Sequence, residues 1–410
     1  MQIDEGVEPV HDFGKKLRQP ALLQHLKNLV TWAQQAALKN KEVVVPPNVP
    51  VISVNLDLTT ACNHACRHCV DDGIINSGRK LDFDDVVKTI DTLSNDNLRS
   101  VILIGGGEPT LHHQFAQIVD YIKKKGLQLG VVSHGGFGER IEAVADLFTA
   151  GDWVRFSIDA ATNETYQQIH WLQSGRKPAN TLQKVLNNGR RIIDKNPLIN
   201  LGYSFVIVWD GLEYHDRKLL DNIYEIPGAV RNAREYGFSY VSLKPCLIKY
   251  ENEGETLLYK TSKEYMARVV ERINKSIQTA RGEANKVRIL LSQNLVAMLQ
   301  NNLDALRQQP DICYAGFIKQ VVSPYGIFHC PAYRGDSRAK VGDNKGYTNC
   351  EMLKITKEST TKNLLNFHAA KTCGNIACFY NGVNRYIRSL VDDKIDIDAL
   401  QEFDGNDFFF

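Results

Sequence analysis

The sequence predicts an α/β fold in which parallel strands are covered by helices. Two observations predict it. Strand-like and helix-like segments alternate from residue 51 onward, the pattern of successive βα units. The motifs that carry chemistry also fall at the C-terminal ends of the strand-like segments or in the loops that follow, where active sites lie in β/α barrels. Strands are expected near 51–58, 100–104, 128–133, 153–158, 200–208 and 239–244. Helical patterns lie between them, as over 83–93 with Asp82 at the N-cap position, and over 218–236 beyond a loop.

Residues 1–50 read as an extension. Leu22, Leu23, Leu26, Leu29, Val30, Ala33 and Ala37 recur at three- and four-residue steps, which marks one amphipathic helix; it reads as packing across the barrel, with a partner-binding helix as the alternative. Val43-Val44-Val45-Pro46-Pro47 then makes an extended linker. A chain of 410 residues buries a large core and is expected to hold two domains. Its 49 Lys and Arg against 47 Asp and Glu give a formal charge of +2, and there is no long basic run. That balance argues against a nucleic-acid partner. The first residues lack the basic start and apolar core of a signal peptide, and no apolar run approaches the ~20 residues that span a bilayer. Nine cysteines, an odd number, fit metal ligation in a reducing compartment better than disulfides. The expectation is a cytoplasmic, oxygen-sensitive protein without a membrane partner.

Three of the cysteines, Cys62, Cys66 and Cys69, stand in one loop directly after the alternating stretch 51–58. Three residues fill the first gap and two the second. Three thiolates on one loop can ligate three irons of a cubane [4Fe–4S] cluster. With no fourth cysteine near in sequence, the fourth iron stays open to an exogenous ligand. Zinc is the alternative occupant; it would want a fourth ligand, which His64 or His68 could supply. Further on, the apolar run 101–104 opens into Gly105-Gly106-Gly107-Glu108-Pro109. Glycines let a backbone approach a ligand closely, and Pro109 fixes the exit of the turn. Ser133-His134-Gly135 ends the third expected strand, and Ser157 and Asp159 share one face of the fourth. A strand-to-helix capping turn would use the same residue types as Ser157 and Asp159.

The CxxxCxxC spacing after a first strand resembles the signature of radical S-adenosylmethionine (SAM) enzymes, and Gly106, Gly107, Glu108 and Pro109 match that family's GGEP element. The resemblance covers about 50–250. It implies a partial (βα)6 TIM-like barrel, here 51–300. It implies that a reduced cluster on Cys62, Cys66 and Cys69 binds SAM and cleaves it to a 5′-deoxyadenosyl radical. The GGEP loop would contact the methionine amino group, and Ser157 and Asp159 the ribose. Ser133 keeps the hydroxyl of a Thr-Asn-Gly-like element whose amide is replaced by His134. Two other departures are His68, where an aromatic residue is common, and His170, where the family often has arginine. The family's arginine contact to the SAM carboxylate therefore has no counterpart at 170.

A second cysteine set lies in the last quarter. Cys313 and Cys330 bracket two apolar runs around Pro324-Tyr325-Gly326, which read as a β-hairpin. Cys373 and Cys378 make a compact two-thiol loop before a helix over 383–390. This arrangement, over 310–380, resembles the SPASM/twitch auxiliary domains of radical SAM enzymes, without their full seven-cysteine pattern. It implies an auxiliary [4Fe–4S] cluster on Cys313, Cys330, Cys373 and Cys378 in a small α+β domain, 301–395, followed by a tail, 396–410. Zinc is again the alternative occupant, and Cys350 is the spare thiol. Lys244 and Cys246 stand at the C-terminal end of the sixth strand, at the barrel mouth. Cys246 reads either as a hydrogen-atom donor to a substrate radical or as an ordinary thiol. Lys244 reads as a proton acceptor or a substrate clamp.

The implied activity is abstraction of a substrate C–H hydrogen followed by oxidation (dehydrogenation or crosslinking) through the auxiliary cluster. Peptides and carbohydrate-derived metabolites are the implied substrates, and flavodoxin or ferredoxin the external electron donor. A radical epimerase using Cys246 is the alternative within the family. A non-catalytic iron–sulfur electron-transfer protein is the alternative outside it; the missing fourth cysteine and the GGEP loop both speak against that.

Overall fold

Six parallel strands stand where the sequence places them: β1 (Ser53–Leu56), β2 (Ser100–Leu103), β3 (Gln128–Ser133), β4 (Trp153–Ser157), β5 (Asn200–Ile207) and β6 (Tyr240–Pro245). Each pairs with the next in that order. The computed structural model describes residues 12–38, 45–172, 181–249, 255–257, 262–393 and 396–410. The start of the chain, read above for a signal peptide, and Val43 and Val44 of the linker lie outside these residues, as does the side chain of Ala37.

The sheet is larger than six strands. β7 (Arg288–Leu291) continues it beyond β6; its four residues show no alternation that sequence periodicity could register. At the other edge β8 (Lys319–Ser323) pairs in parallel with β1. The chain then turns back through β9 (Gly326–Phe328) and β10 (Lys340–Gly342), both antiparallel. The hairpin expected around Pro324 is thus an extension of the barrel's own sheet. With β7 and β10 at its two edges the sheet stays open, a partial barrel.

Alternation sorts the side chains. On β4, Val154 and Phe156 join Leu201, Tyr203 and Phe205 of β5 and Val241 and Leu243 of β6 in the core beneath the helices. The intervening residues face the lumen. Helix Phe83–Asn95 buries Val86, Ile90 and Leu93 against the same core, and helix Phe115–Lys124 buries Phe115, Ile118, Val119 and Ile122. Each such side chain contributes about 1.5–3 kcal/mol of transfer free energy. Asp82 is the N-cap residue of the first helix, although its side chain makes no capping hydrogen bond.

One expectation is corrected and another is sharpened. The helix expected over 218–236 starts later: Arg217 and Lys218 belong to a two-residue hairpin strand, and the helix runs Ile226–Glu235 with Pro227 in its first turn. His215 and Asp216 take positive φ to make that hairpin turn, a conformation no helical pattern reveals. The N-terminal helix, Pro20–Leu38, packs on the C-terminal helix and meets the barrel beside the start of β1, at Ile52. Its Leu22, Leu26, Leu29, Val30 and Ala33 are buried with Val383, Ile387 and Leu390 of helix Asn381–Asp392, and Trp32 meets Phe317 edge-on at 4.9 Å. The apolar face of the C-terminal helix supplies a closer match.

The last residues close the N-terminal end of the barrel. Ser100 Oγ donates to Phe408 O at 2.7 Å, and the Gln128 side chain pairs with Phe408 N and Asn406 O. Phe409 packs edge-on against Trp153, ring centres 5.4 Å apart. Among the described residues no helix is long and apolar enough to cross a membrane.

Candidate active site

The loop after β1 carries Cys62, Cys66 and Cys69, all partly exposed. Its backbone is tied down along its length: Cys62 N donates to Asn76 Oδ1 at 2.8 Å and Cys69 N to Cys66 O at 3.1 Å. Burial pushes the Cys62 thiol up to about 11 and Cys69 to about 12. Cys66 is also pushed well up, first by burial and then by the charges of Cys69 and Cys62. Three thiolates this close repel one another, so the set calls for a cationic centre among them. That donor chemistry fits a cluster held by three sulfurs.

Imidazoles fasten the loop to the strand ends. His68 Nε2 lies 3.1 Å from Asp159 Oδ2. His170 faces Cys66 Sγ through Nδ1 at 3.1 Å and Ile158 O through Nε2 at 2.8 Å. Nε2 must donate to the carbonyl, so Nδ1 is left to accept from the thiol. Burial holds His170 down to about 4, hence neutral. His134 bonds Asn63 Oδ1 at 2.9 Å and stacks on His64, ring centres 4.2 Å apart. The ligand atoms of His64, Cys66 and His170 come within 4.8 Å of one another. A zinc ion there would use only one of the three cysteines, whereas a cluster uses all three.

The glycine loop lies directly beneath. A Cβ on Gly107 would stand 2.3 Å from Thr59 O and 2.8 Å from Ala61 O, so only glycine lets the two loops pack. Glu108 N donates to Ala61 O at 2.8 Å. The Glu108 carboxylate accepts from Thr110 N and Oγ1, from Ser133 Oγ at 2.8 Å and from His134 N at 2.9 Å. Glu108 and Ser133 are thus brought together, but onto each other. The Gly106 N–H is turned to Asp57, so the Gly106 carbonyl and the backbone of Gly107, with Pro109 opening the turn Pro109–Leu111, are what the loop leaves for a ligand.

Ser157 is half-buried at the end of β4. Asp159, at φ +58°, accepts from Val206 N at 2.7 Å in addition to its contact with His68. Neither caps the next helix; Thr162 does so. Lys244 is half-buried on the lumen face of β6, where burial and then Arg155 hold it down to about 7. Cys246 is 1 % exposed within the principal core, and burial pushes its thiol up to about 12.

The second cysteine set is also assembled. Cys313, Cys330, Cys373 and Cys378 line one small cavity, walled by His329, Tyr333, Phe367 and Tyr380. Burial comes first in raising all four thiols, and their mutual charges add to it at Cys330, Cys373 and Cys378. Four sulfurs around one enclosed space fit a cluster or a zinc ion equally in number. Cys350 stands exposed at the start of helix Cys350–Asn366, outside that cavity.

Four site residues escaped the sequence reading. Arg334 Nε lies 2.7 Å from Asp57 Oδ2, and Nη1 2.7 Å from Asp71 Oδ2. Glu255 is pushed up to about 7, first by burial and then by Asp71. It is also within electrostatic reach of Lys244 and of Cys330. Asp57 could have been found, as an acid on the inward face at the end of an alternating strand. Arg334, Asp71 and Glu255 carry no local signal.

Residues 56–223 match the family model of the radical SAM superfamily. The chain is 31% identical over 113 residues to an S-adenosylmethionine-dependent nucleotide dehydratase of Selenomonas ruminantium, which is 27% of this chain and 40% of that protein. It is 31% identical over 141 residues to the mycofactocin maturase MftC of Mycolicibacterium smegmatis, 34% of this chain and 35% of the relative. The match spans less than half the length of either relative. The fold is shared with Streptococcus suis SuiB bound to its precursor peptide SuiA, with a TM-score of 0.55, 12% identity, and 82% and 70% of the two chains covered.

Proposed function

We propose that this radical SAM domain belongs to an oxidoreductase that removes hydrogen from a peptide held between two iron–sulfur centres. Cys62, Cys66 and Cys69 would hold the SAM-binding cluster in the barrel, 51–300. Cys313, Cys330, Cys373 and Cys378 would hold the auxiliary cluster in a SPASM/twitch-like region, 301–395. When bound, the first centre with SAM supplies a 5′-deoxyadenosyl radical that takes a hydrogen atom from a substrate carbon, and the second centre accepts an electron.

The chain's own residues orient and deprotonate. His68 on Asp159 and His170 on Ile158 O fix the cluster loop against the end of β4. The close contact of Gly107 with Thr59 and Ala61 sets the depth of the glycine loop. Glu255, poised near neutrality, takes the proton that leaves with the second electron. Reduction from outside would come from a flavodoxin or ferredoxin.

One observation carries this reading: three cysteines stand on the loop after β1 and four more line a separate cavity, with Glu255 in electrostatic reach of Asp71 beside the first set and of Cys330 in the second. A carboxylate between two such centres suits a substrate that gives hydrogen to one side and an electron to the other. The shared fold with SuiB, solved with a precursor peptide, supports a peptide substrate. Cys246 offers a substrate radical almost no surface, which favours oxidation over epimerisation.

The test is product mass in deuterated water, with reduced, reconstituted protein and candidate peptides. Oxidation gives a product two hydrogens lighter, formed equally well by Cys246→Ala. A product of unchanged composition that carries solvent deuterium and is lost in Cys246→Ala would overturn it.

A further inference from the structure

The lumen wall formed by β4, β5 and β6 is polar and unsatisfied. Register aligns Arg155 with Gly202 and Tyr240, then Ser157 with Ser204 and Ser242, then Val206 with Lys244. Residues between these belong to the helix-side core, so this set faces inward. Among the described residues neither Arg155 nor Lys244 has an ion-pair partner, and Arg155 Nε is buried without a hydrogen-bond partner. The guanidinium lies over the ring of Trp153, at 5.2 Å. The hydroxyls of Ser157, Ser204 and Ser242 make no side-chain hydrogen bond among the described residues.

Nearby carboxylates do not neutralise the two cations. Asp159 is committed to Val206 N and His68. Asp159 and then Glu255 act on Lys244 through space, each less strongly than Arg155 repels it, and neither forms an ion pair with it among the described residues. Two basic groups facing one lumen without an ion-pair contact are costly to keep charged, and a ligand anion relieves that cost.

We propose that this wall is an anion subsite, in which Arg155 and Lys244, with the hydroxyls of Ser157, Ser204 and Ser242, grip the carboxylate or phosphate of a molecule that enters the barrel end-on. The inference deepens the proposed function, because it rests on the lumen being the ligand chamber. Gly202 leaves the space at the Arg155 level to the Tyr240 ring, which a Cβ there would strike at 2.1 Å. Arg155 lies two residues before Ser157, roughly 7 Å deeper along β4. Phe408 and Phe409 close the far end, so the entrance is the rim beside the three-cysteine loop. An anionic terminus or acidic side chain fits such a blind chamber.

Two sources share this chemistry. One is the anionic end of the substrate. The other is the SAM carboxylate, since both nitrogens of His170 are already engaged.

Calorimetric titration of the reconstituted protein with pyrophosphate and with succinate, with and without saturating SAM, tests the subsite. Wild type should bind one equivalent of at least one probe. Arg155→Gln and Lys244→Met should each weaken it at least about tenfold, the loss of one charge-assisted hydrogen bond. Arg155→Lys, which keeps the charge, should retain most of the affinity and serves as the folding control. Joint binding of probe and SAM, with SAM affinity unchanged in the variants, supports the subsite and assigns it to the substrate. If SAM displaces the probe, and the variants weaken SAM but not 5′-methylthioadenosine, the subsite stands and holds the SAM carboxylate. Equal probe affinity in wild type and folded variants, or no binding to folded wild type, overturns it. The arm without SAM needs no cluster, so failure of the radical SAM reading would be seen separately.

Discussion

Arg334 donates from Nη1 to Asp71 Oδ2 at 2.7 Å, and so joins the C-terminal part of the chain to the loop that carries Cys62, Cys66 and Cys69. Its Nε sits against Asp57 at the end of β1. Burial pushes Asp57 toward its neutral form, Arg334 pulls it back, and the two acids hold the Arg334 guanidinium strongly charged. Removing that guanidinium leaves the buried Asp57 and the half-buried Asp71 without a cation, a loss of about 3–5 kcal/mol for a broken buried pair.

Arg334→Gln is therefore expected to lower Tm and to release iron from the three-cysteine loop before the four-cysteine cavity. Iron analysis during mild chelation checks it. Equal iron retention by variant and wild type would show that the clamp does not hold the loop.

Gly107→Ala places a Cβ against backbone oxygens that cannot rotate away. The cluster loop must move, whereas the four-cysteine cavity is untouched. After reconstitution the variant should hold about four irons instead of about eight, on [4Fe–4S] stoichiometry. Full iron content would mean that the two loops adjust without loss.

Glu255 gives a pH signature. Its folded pKa is raised to about 7 from 4.5, so between those values the folded carboxyl keeps a proton that the unfolded one has lost. The folded state then binds more protons, and stability falls as pH rises through this window. Glu255→Gln should flatten the decline in Tm from pH 4.5 to 7, and should be the more stable form above pH 7. An unchanged Tm–pH profile would contradict the burial of Glu255 in a low-dielectric site.

Legibility in the sequence followed the range of the interaction. β1 to β6 were readable because apolar runs and period two are local. The cysteine spacing and the glycine run were readable because a loop ligating a cluster must place its donors within a few residues. Arg334 and Asp71 lie 263 residues apart, and no local pattern marks such a pair. β7 has no alternation and no chemistry-bearing loop after it to mark it as a strand, and its place is set by its partner β6. Glu108 was readable as a site residue but not in its use, because its bonds to Ser133 and His134 depend on β3 ending beside the glycine loop. The spare position of Cys350 was suggested by thiol count, and the structure places it on the surface.

Reductive cleavage of SAM tests the central claim most directly. Anaerobically reconstituted protein is reduced with dithionite in the presence of SAM, and 5′-deoxyadenosine is quantified. Wild type should form it, and the Cys62→Ala/Cys66→Ala/Cys69→Ala variant should form none while keeping about half the iron. The variant lacking Cys313, Cys330, Cys373 and Cys378 should still cleave SAM. Undiminished 5′-deoxyadenosine from the first variant, or none from fully loaded wild type, would contradict an open cluster on the loop after β1.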